Sequence, residues 1–316
     1  MSVKSSSSYD LLVVTGTTAS GKTSLAVALA DRLGGEIISA DSRQVYRGMN
    51  LGTGKDYSEY TINGKTIPCH LMDIADPGYK YNVFEYQRDF CKVYEDMKRR
   101  NIFPVVCGGS GMYVDSIVKS YRMFEVPPDP SLRKRLEKKS LEELTIILSS
   151  YKNLHNTTDI DTSKRAIRAI EIGEYNINKT GSKTCMPEMK PLIAGVYFDR
   201  EARRKRITER LHRRLDEGMV EEVRSLLDSG ISKEVLIYYG LEYKYITLYL
   251  TGETSFDEMV KNLETAIHQF AKRQMTWFRG MERKGVQINW IDGELPLEEK
   301  AERVMKMLIS DMYPEM

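Results

Sequence analysis

The chain has 316 residues, of which 41% are hydrophobic and 29% charged, with a net charge of +2. That is the composition of a globular protein able to bury a sizeable core in one large or two modest domains. Four cysteines (Cys69, Cys91, Cys107, Cys185) without a C-x-x-C pair argue against a structural zinc site or a disulfide framework. No run nears the ~20 apolar residues of a membrane span, and the Ser-rich residues 1–8 lack the apolar segment of a secretion signal. A soluble, cytoplasmic protein is expected, with no membrane partner.

The apolar run Leu11, Leu12, Val13 and Val14 predicts a buried strand. Gly16, Gly21, Lys22 and Thr23 then complete the spacing G-x-x-x-x-G-K-T, and a helical apolar pattern resumes at Leu25, Val27, Ala28 and Leu29. Strand, glycine-rich loop and helix in that order are the context of a phosphate-binding loop. Backbone N–H groups and a helix N-terminus make a concave anion site, Lys22 adds a point charge, and the Thr23 hydroxyl is placed to ligate Mg2+. Residues 36–40 (EIISA) read as a second strand with Asp41 at its carboxyl end, the side of an open α/β sheet where ligands bind. Residues 48–55 (GMNLGTGK) read as a mobile or ligand-covering loop, and residues 70–73 as a short segment before the turn at Asp76, Pro77 and Gly78. A helical period over 83–100, a buried strand over 102–107, and a helix from Gly108–Gly111 to about Lys119 continue the alternation. Such alternation predicts a parallel sheet with right-handed crossovers.

The pattern changes after Met123. Residues 126–130 (VPPDP) mark a boundary, residues 131–179 look all-helical, and residues 179–191 read as a return linker. Residues 192–198 (LIAGVYF) predict a strand that rejoins the main sheet, and the rest is helical apart from a last edge strand over 286–290. The expected fold is an α/β core of phosphate-loop type over 1–123 and 191–316, its parallel sheet flanked by helices, with an all-helical insertion domain over 124–190.

A phosphate loop alone points first to a kinase or GTPase, which carries an acidic metal ligand after an apolar strand. Asp41 and Asp73 are the candidates, and no N-K-x-D string that would read guanine is present. Asp41 has a structural reading as a turn former and a functional one as metal ligand or general base. Residues 200–214 carry eight Arg or Lys against two Glu, with Arg203, Arg206 and Arg210 on one helix face continued by Arg213 and Arg214. That face suits a polyanion or diphosphate, whereas Arg204 and Lys205 read as solvated charge. Further basic clusters lie at Arg133, Lys134, Arg135, Lys138 and Lys139, and at Lys272, Arg273, Arg279, Arg283 and Lys284. Interleaved with Tyr238, Tyr239, Trp277 and Phe278 they suit a nucleic-acid surface with stacking groups, although Trp277 and Phe278 equally suit a core.

Six strings occur in order: GTTASGKT, ISADSRQVYRGMNLGTGK, HLMDIADP, PVVCGGSGMY, DTSKRAIRAIE and AKRQMTWFR. On these, over almost its full length, the chain resembles the tRNA dimethylallyltransferases (tRNA isopentenyltransferases). The resemblance implies that the loop Gly16, Thr17, Thr18, Ala19, Ser20, Gly21, Lys22 and Thr23 holds the diphosphate of dimethylallyl diphosphate, with Mg2+ at Thr23. It implies transfer of the prenyl group to N6 of the adenosine after the anticodon, position 37, with Asp41 as base, Thr23 and Arg210 as further catalytic residues, and Arg210 on the leaving diphosphate. Implied tRNA contacts are Asp41, Ser42, Arg43, Gln44, Ser110, Arg133, Ser163, Lys164, Arg165, Ala166, Ile167, Gly240, Lys272, Arg273, Gln274, Trp277 and Arg279. The helical insertion would grip the anticodon stem-loop, and the target adenine would leave its stack. Thr17 stands where the family usually has Pro, and Ser110 where it has Thr. Residues 237–244 (IYYGLEYK) depart from the family's Q-A-I-G-Y-K-E after Gly240. The eukaryotic relatives' C-terminal zinc finger is missing, so a bacterial-type enzyme is expected, as a monomer. The alternatives are an adenylate isopentenyltransferase acting on free AMP, ADP or ATP, a small-molecule kinase, and a non-catalytic RNA-binding protein. The helical insertion and AKRQMTWFR favour tRNA.

Overall fold

The computed structural model describes residues 8–151, 158–177 and 186–310. Residues 1–7 of the Ser-rich start, residues 179–185 of the expected linker, and Cys185 lie outside the described residues. In chain order the elements are β1 (Leu11–Gly16), α1 (Lys22–Leu33), β2 (Gly35–Ser39), β3 (Thr61–Ile62), β4 (Lys65–Thr66), β5 (Cys69–His70), α2 (Val83–Arg99), β6 (Phe103–Gly108) and α3 (Gly111–Val118). Three helices follow, α4 (Pro130–Leu136), α5 (Leu141–Tyr151) and α6 (Ser163–Ile177), and then β7 (Pro191–Tyr197). The remainder is α7 (Arg200–Asp216), α8 (Met219–Asp228), α9 (Lys233–Tyr239), α10 (Leu241–Leu250), α11 (Phe256–Arg283), β8 (Asn289–Asp292) and α12 (Leu297–Ser310).

Six strands form one sheet in the order β5-β2-β6-β1-β7-β8, and every neighbouring pair is parallel. β3 and β4 make a separate antiparallel hairpin. The strand expected at 192–198 lies beside β1, with Leu12 opposite Leu192 and Gly16 opposite Val196. The edge strand expected at 286–290 is present as β8, beginning three residues later, and Ile288 just before it is buried in the core. A parallel sheet is covered on both faces, which is why its strands read as unbroken apolar runs. In β1, Leu12 and Val14 pack with Leu25 and Leu29 of α1 and Val304 and Leu308 of α12. Leu11 and Val13 pack on the other face with Tyr86 and Phe90 of α2 and Phe278 of α11.

A third apolar cluster fixes the elements at the carboxyl ends of the strands. Val45, Tyr46 and Met49, from the segment after β2, pack with Ile207 and Leu211 of α7, Tyr239, Tyr243, and Leu263 and Ile267 of α11. Burying large apolar side chains contributes about 1.5–3 kcal/mol each, so this cluster pins the segment after β2 against α7. By its contacts the chain divides into two compact units, Arg122–Cys185 and the remainder. The smaller unit packs α4, α5 and α6 around Leu132, Leu136, Leu144, Leu148, Ala166, Ile167 and Ile170. Asp129 caps α4 by accepting from the backbone N–H of Ser131 and Leu132.

Candidate active site

The loop from Gly16 to Thr23 leaves the carboxyl end of β1 and enters α1 at Lys22. Gly21 caps the helix in the left-handed region at φ 73, and no acidic side chain stands in the first turn. The positive end of the α1 dipole is therefore left for an external anion. Lys22 folds back so that its Nζ donates to the Thr17 carbonyl at 3.3 Å. Burial pulls the Lys22 ammonium below its ordinary range, an effect that Cys107 and Asp41 partly offset. Thr18, Ala19, Ser20 and Gly21 supply the rest of the cradle, and the buried Ser20 hydroxyl has no hydrogen-bond partner among the described residues.

Neighbouring elements hold this loop from both sides. Arg206 of α7 stacks on Phe198 and donates from Nε to the Ala19 carbonyl at 3.0 Å. Gln274 of α11 accepts from the Thr18 N–H and donates to the Gly109 carbonyl, each at 2.8 Å. A side chain at Gly109 would collide with Gln274 and the Gly16 carbonyl, so the close approach of the β6 end to the loop requires glycine there. Gln274, placed among the tRNA contacts from the sequence, is buried and fully engaged in joining the loop to the end of β6.

β2 and β6 lie side by side, so Asp41 stands next to the Gly108–Ser110 turn. The Ser110 hydroxyl accepts from the Ser42 N–H at 2.9 Å and reaches the Ser42 hydroxyl at 3.2 Å, while the Ser110 N–H donates to the Ala40 carbonyl. Asp41 Oδ1 accepts from the Arg43 N–H at 2.8 Å, leaving Oδ2 without a bond among the described residues. The structural reading of Asp41 as a turn former thus occupies one oxygen and not the other. Its charge acts on both Lys22 and Arg210. Gln44 is held by the Ser39 hydroxyl and the Gly54 carbonyl. Arg43 lies over the rings of Tyr239 and Tyr238, 5.4 and 6.0 Å from their centres.

Asp73, the other metal-ligand candidate, is corrected to a structural role. Its carboxylate takes an ion pair from buried Lys55 and a 2.7 Å hydrogen bond from the Tyr57 hydroxyl. The loop over 48–55 is likewise tethered and not free. Glu222 of α8 accepts from the N–H groups of Asn50, Leu51 and Gly52 at 2.9, 2.7 and 3.1 Å, and from the Tyr243 hydroxyl at 2.8 Å.

On α7, Arg206 stays exposed while it reaches the loop, and Arg210 and Arg214, each four residues further on, are half-buried, whereas the sequence pattern had begun the face at Arg203. Arg213 instead pairs with Glu217 in solvent. Arg210 and Arg214 line a small, partly open cavity with Thr18, Ala19 and Glu242. Burial lowers both guanidinium groups, Arg214 to about 10, and raises the Glu242 carboxyl. Arg214 was read from the sequence only as a continuation of the basic face, and Glu242 was not singled out. The helical spacing of four from Arg210 was the signal for the first, and nothing local marked the second.

The remaining candidates divide by exposure. On α11, Lys272, Arg273 and Arg279 are exposed, Trp277 is half-buried against Gly111, and Phe278 is fully buried core. Gly240 joins α9 to α10 at φ 74 and ψ −172, a conformation open only to glycine. In the helical unit, Ser163, Lys164 and Arg165 are exposed. Ala166 and Ile167 are corrected to core residues, since their side chains are buried with Leu144 and Leu148. Arg133 is held by buried Glu171 through Nε at 2.9 Å and Nη2 at 2.8 Å. Among the described residues no three His, Cys, Asp or Glu side chains gather as a metal site. No described helix is long and apolar enough to cross a membrane.

The IPP transferase family model matches residues 44–281, and the isopentenyl transferase model matches residues 9–65. A tRNA dimethylallyltransferase 2 of Bacteroides fragilis is 63% identical over 300 residues, covering 95% of this chain and 98% of that one. A tRNA dimethylallyltransferase 1 of Parabacteroides distasonis is 60% identical over 95% of this chain and 98% of its own. Among solved structures, the full-length tRNA isopentenylpyrophosphate transferase of Bacillus halodurans superposes with a TM-score of 0.70 at 29% identity, covering 96% and 97% of the two chains. A eukaryotic dimethylallyltransferase acting on tRNA shares the fold, with a TM-score of 0.75 at 21% identity over 96% of this chain and 79% of that one. The sheet is that of the phosphate-loop NTPases, and the chain belongs to the IPP transferase family, that of the tRNA dimethylallyltransferases.

Proposed function

We propose that this protein transfers the dimethylallyl group of dimethylallyl diphosphate to the exocyclic N6 of the adenosine that follows the anticodon in tRNA. The observation that carries the reading is the placement of Asp41 opposite the phosphate loop. One oxygen of Asp41 is not bonded among the described residues, Asp41 follows β2 beside the end of β6, and its charge acts on Lys22 of the loop and Arg210 of α7. The exocyclic amine is a weak nucleophile, so it gains from a positioned proton acceptor. The N6–C1 bond forms as the C1–O bond breaks, the amine proton passes to Asp41, and the electron pair leaves with the diphosphate. The loop N–H groups, Lys22 and Arg210 stabilise the charge that develops on the leaving group.

Thr23, at the start of α1, would hold a Mg2+. Magnesium ions are commonly bound by few protein ligands together with substrate phosphates, which fits this sparse donor set. The ion would neutralise charge on the diphosphate. The adenine leaves the anticodon stack to reach Asp41, with Ser42, Arg43 and Ser110 beside it. Exposed Lys272, Arg273 and Arg279, and Ser163, Lys164 and Arg165 of the helical unit, contact the tRNA backbone, and the helical unit over 124–190 grips the anticodon stem-loop. The protein acts as a monomer.

The substitution Asp41→Asn tests the assignment. It keeps the oxygen that accepts from Arg43 and removes the base, so kcat falls by ~10²-fold or more while tRNA affinity stays within about twofold. Unchanged turnover would remove Asp41 from the mechanism.

A further inference from the structure

Arg214 has no role in the function proposed above, yet its guanidinium meets that of Arg210. A Cβ built on Gly54 would collide with Nη2 of both arginines, so the two cationic groups converge on the face of one glycine held at φ 76. Neither guanidinium makes a hydrogen bond or ion pair with another described residue, whereas Lys205 and Arg213 of the same helix find glutamates. Two like charges brought together in a half-buried cavity without direct partners are unfavourable in the free protein. Glu242, at the start of α10, is the main opposing charge on both. It lines the same cavity, as do Thr18 and Ala19 of the phosphate loop. The arrangement is held on purpose-built supports. Glu222 fixes residues 50–52, and Gln44 holds the Gly54 carbonyl at 3.2 Å.

We infer that Arg210 and Arg214 form a two-guanidinium clamp for one phosphate group, that of the diphosphate substrate, with Glu242 as counter-charge while the clamp is empty. Planar guanidinium forks match phosphate oxygens in pairs of hydrogen bonds, and two forks can hold one phosphate from two sides. A phosphate of a tRNA backbone has the same chemistry. The cavity wall made by Thr18 and Ala19 favours the diphosphate, because it places the clamp beside the loop that holds the other phosphate. This inference rests on the reading of the loop as a diphosphate site.

The test measures binding of inorganic diphosphate with Mg2+ to the full chain by calorimetry, together with KM for dimethylallyl diphosphate and the Kd for unmodified tRNA. Arg214→Met should weaken diphosphate binding and raise KM by about tenfold to a hundredfold, the range of a lost charged hydrogen bond. Its tRNA Kd should stay within about twofold. Arg214→Lys keeps the charge without the fork and should recover only part of the loss. Glu242→Gln leaves both arginines in place and should tighten diphosphate binding severalfold. Unchanged diphosphate binding in a folded Arg214→Met variant, or weaker binding in Glu242→Gln, would overturn the clamp. A loss of tRNA affinity with diphosphate binding intact would give the phosphate to the tRNA and overturn it equally. Wild-type protein that binds diphosphate but transfers no prenyl group to tRNA would sink the proposed function and leave the clamp standing.

Discussion

The substitution Glu222→Gln probes how the loop over 48–55 is held in place. Oε2 of Glu222 accepts from the N–H groups of Asn50 and Leu51, and Oε1 accepts from the Gly52 N–H and the Tyr243 hydroxyl. Glutamine has the same shape but one oxygen: an amide nitrogen at the Oε2 position faces the Asn50 and Leu51 N–H groups, and at the Oε1 position it faces the Gly52 N–H while the Tyr243 hydroxyl turns to accept from it, so at least one backbone donor is left unmatched. Each unmatched donor costs about 1–3 kcal/mol, which sets the loss at a minimum of about 1–3 kcal/mol. For a chain of this size, with an unfolding entropy of about 2.1 cal/mol/K per residue, each kcal/mol lowers Tm by roughly 1.5 °C, so a fall of about 1.5–4.5 °C is expected by differential scanning calorimetry. Hydrogen exchange should quicken at the amides of Asn50, Leu51 and Gly52. KM for the prenyl donor should rise, since Gly54 is no longer presented to Arg210 and Arg214. A Tm within ~1 °C of wild type with unchanged exchange at those three amides would refute the reasoning.

Three further outcomes are expected. Glu36 is gripped by both Nη atoms of Arg100 and by His70, and the Arg100 bonds hold its carboxyl at about 2. A depressed folded value stabilises the protein above the unfolded carboxyl range, and that stability is lost as pH falls from about 4.5 towards 2. Glu36→Gln should therefore flatten the acid limb of a Tm-against-pH curve, and an unaltered limb would deny the linkage. Lys272→Ala or Arg279→Ala should weaken tRNA binding and reduce its salt slope by about one, and unchanged slopes would return these groups to plain surface charge. Tyr238 is 50% exposed with Arg43 and Lys80 over its ring, so Tyr238→Ala should weaken tRNA binding about tenfold. Tyr238→Phe should not, and equal losses in both would exclude stacking.

The central strands were legible because they are apolar on both faces and close on signals that carry geometry, Gly16 at the end of β1, Asp41 just after β2 and Gly108 at the end of β6. The phosphate loop was legible for the same reason, as its glycines and Lys22 act within eight residues of chain. Residues whose roles depend on distant partners were not. Asp73 looked like a metal ligand until Lys55 and Tyr57 claimed its carboxylate. Glu222 and Glu242 carry no local mark, because their partners lie on the 50–54 segment and on α7. Gln274 sits in a basic string that reads as RNA-facing, yet an α-helix turns every fourth residue inward. It faces the loop while Lys272 and Arg273 face solvent. Ala166 and Ile167 follow the same rule on α6, buried one turn from exposed Ser163 and Lys164.

The most direct test of the central claim incubates the purified protein and Mg2+ with radiolabelled dimethylallyl diphosphate, offering unmodified tRNA in one reaction and AMP or ATP in another. The account predicts label in tRNA alone, on the adenosine after the anticodon, and none after Asp41→Asn. Label in the free nucleotide, or ATP turnover without label in either acceptor, would contradict it.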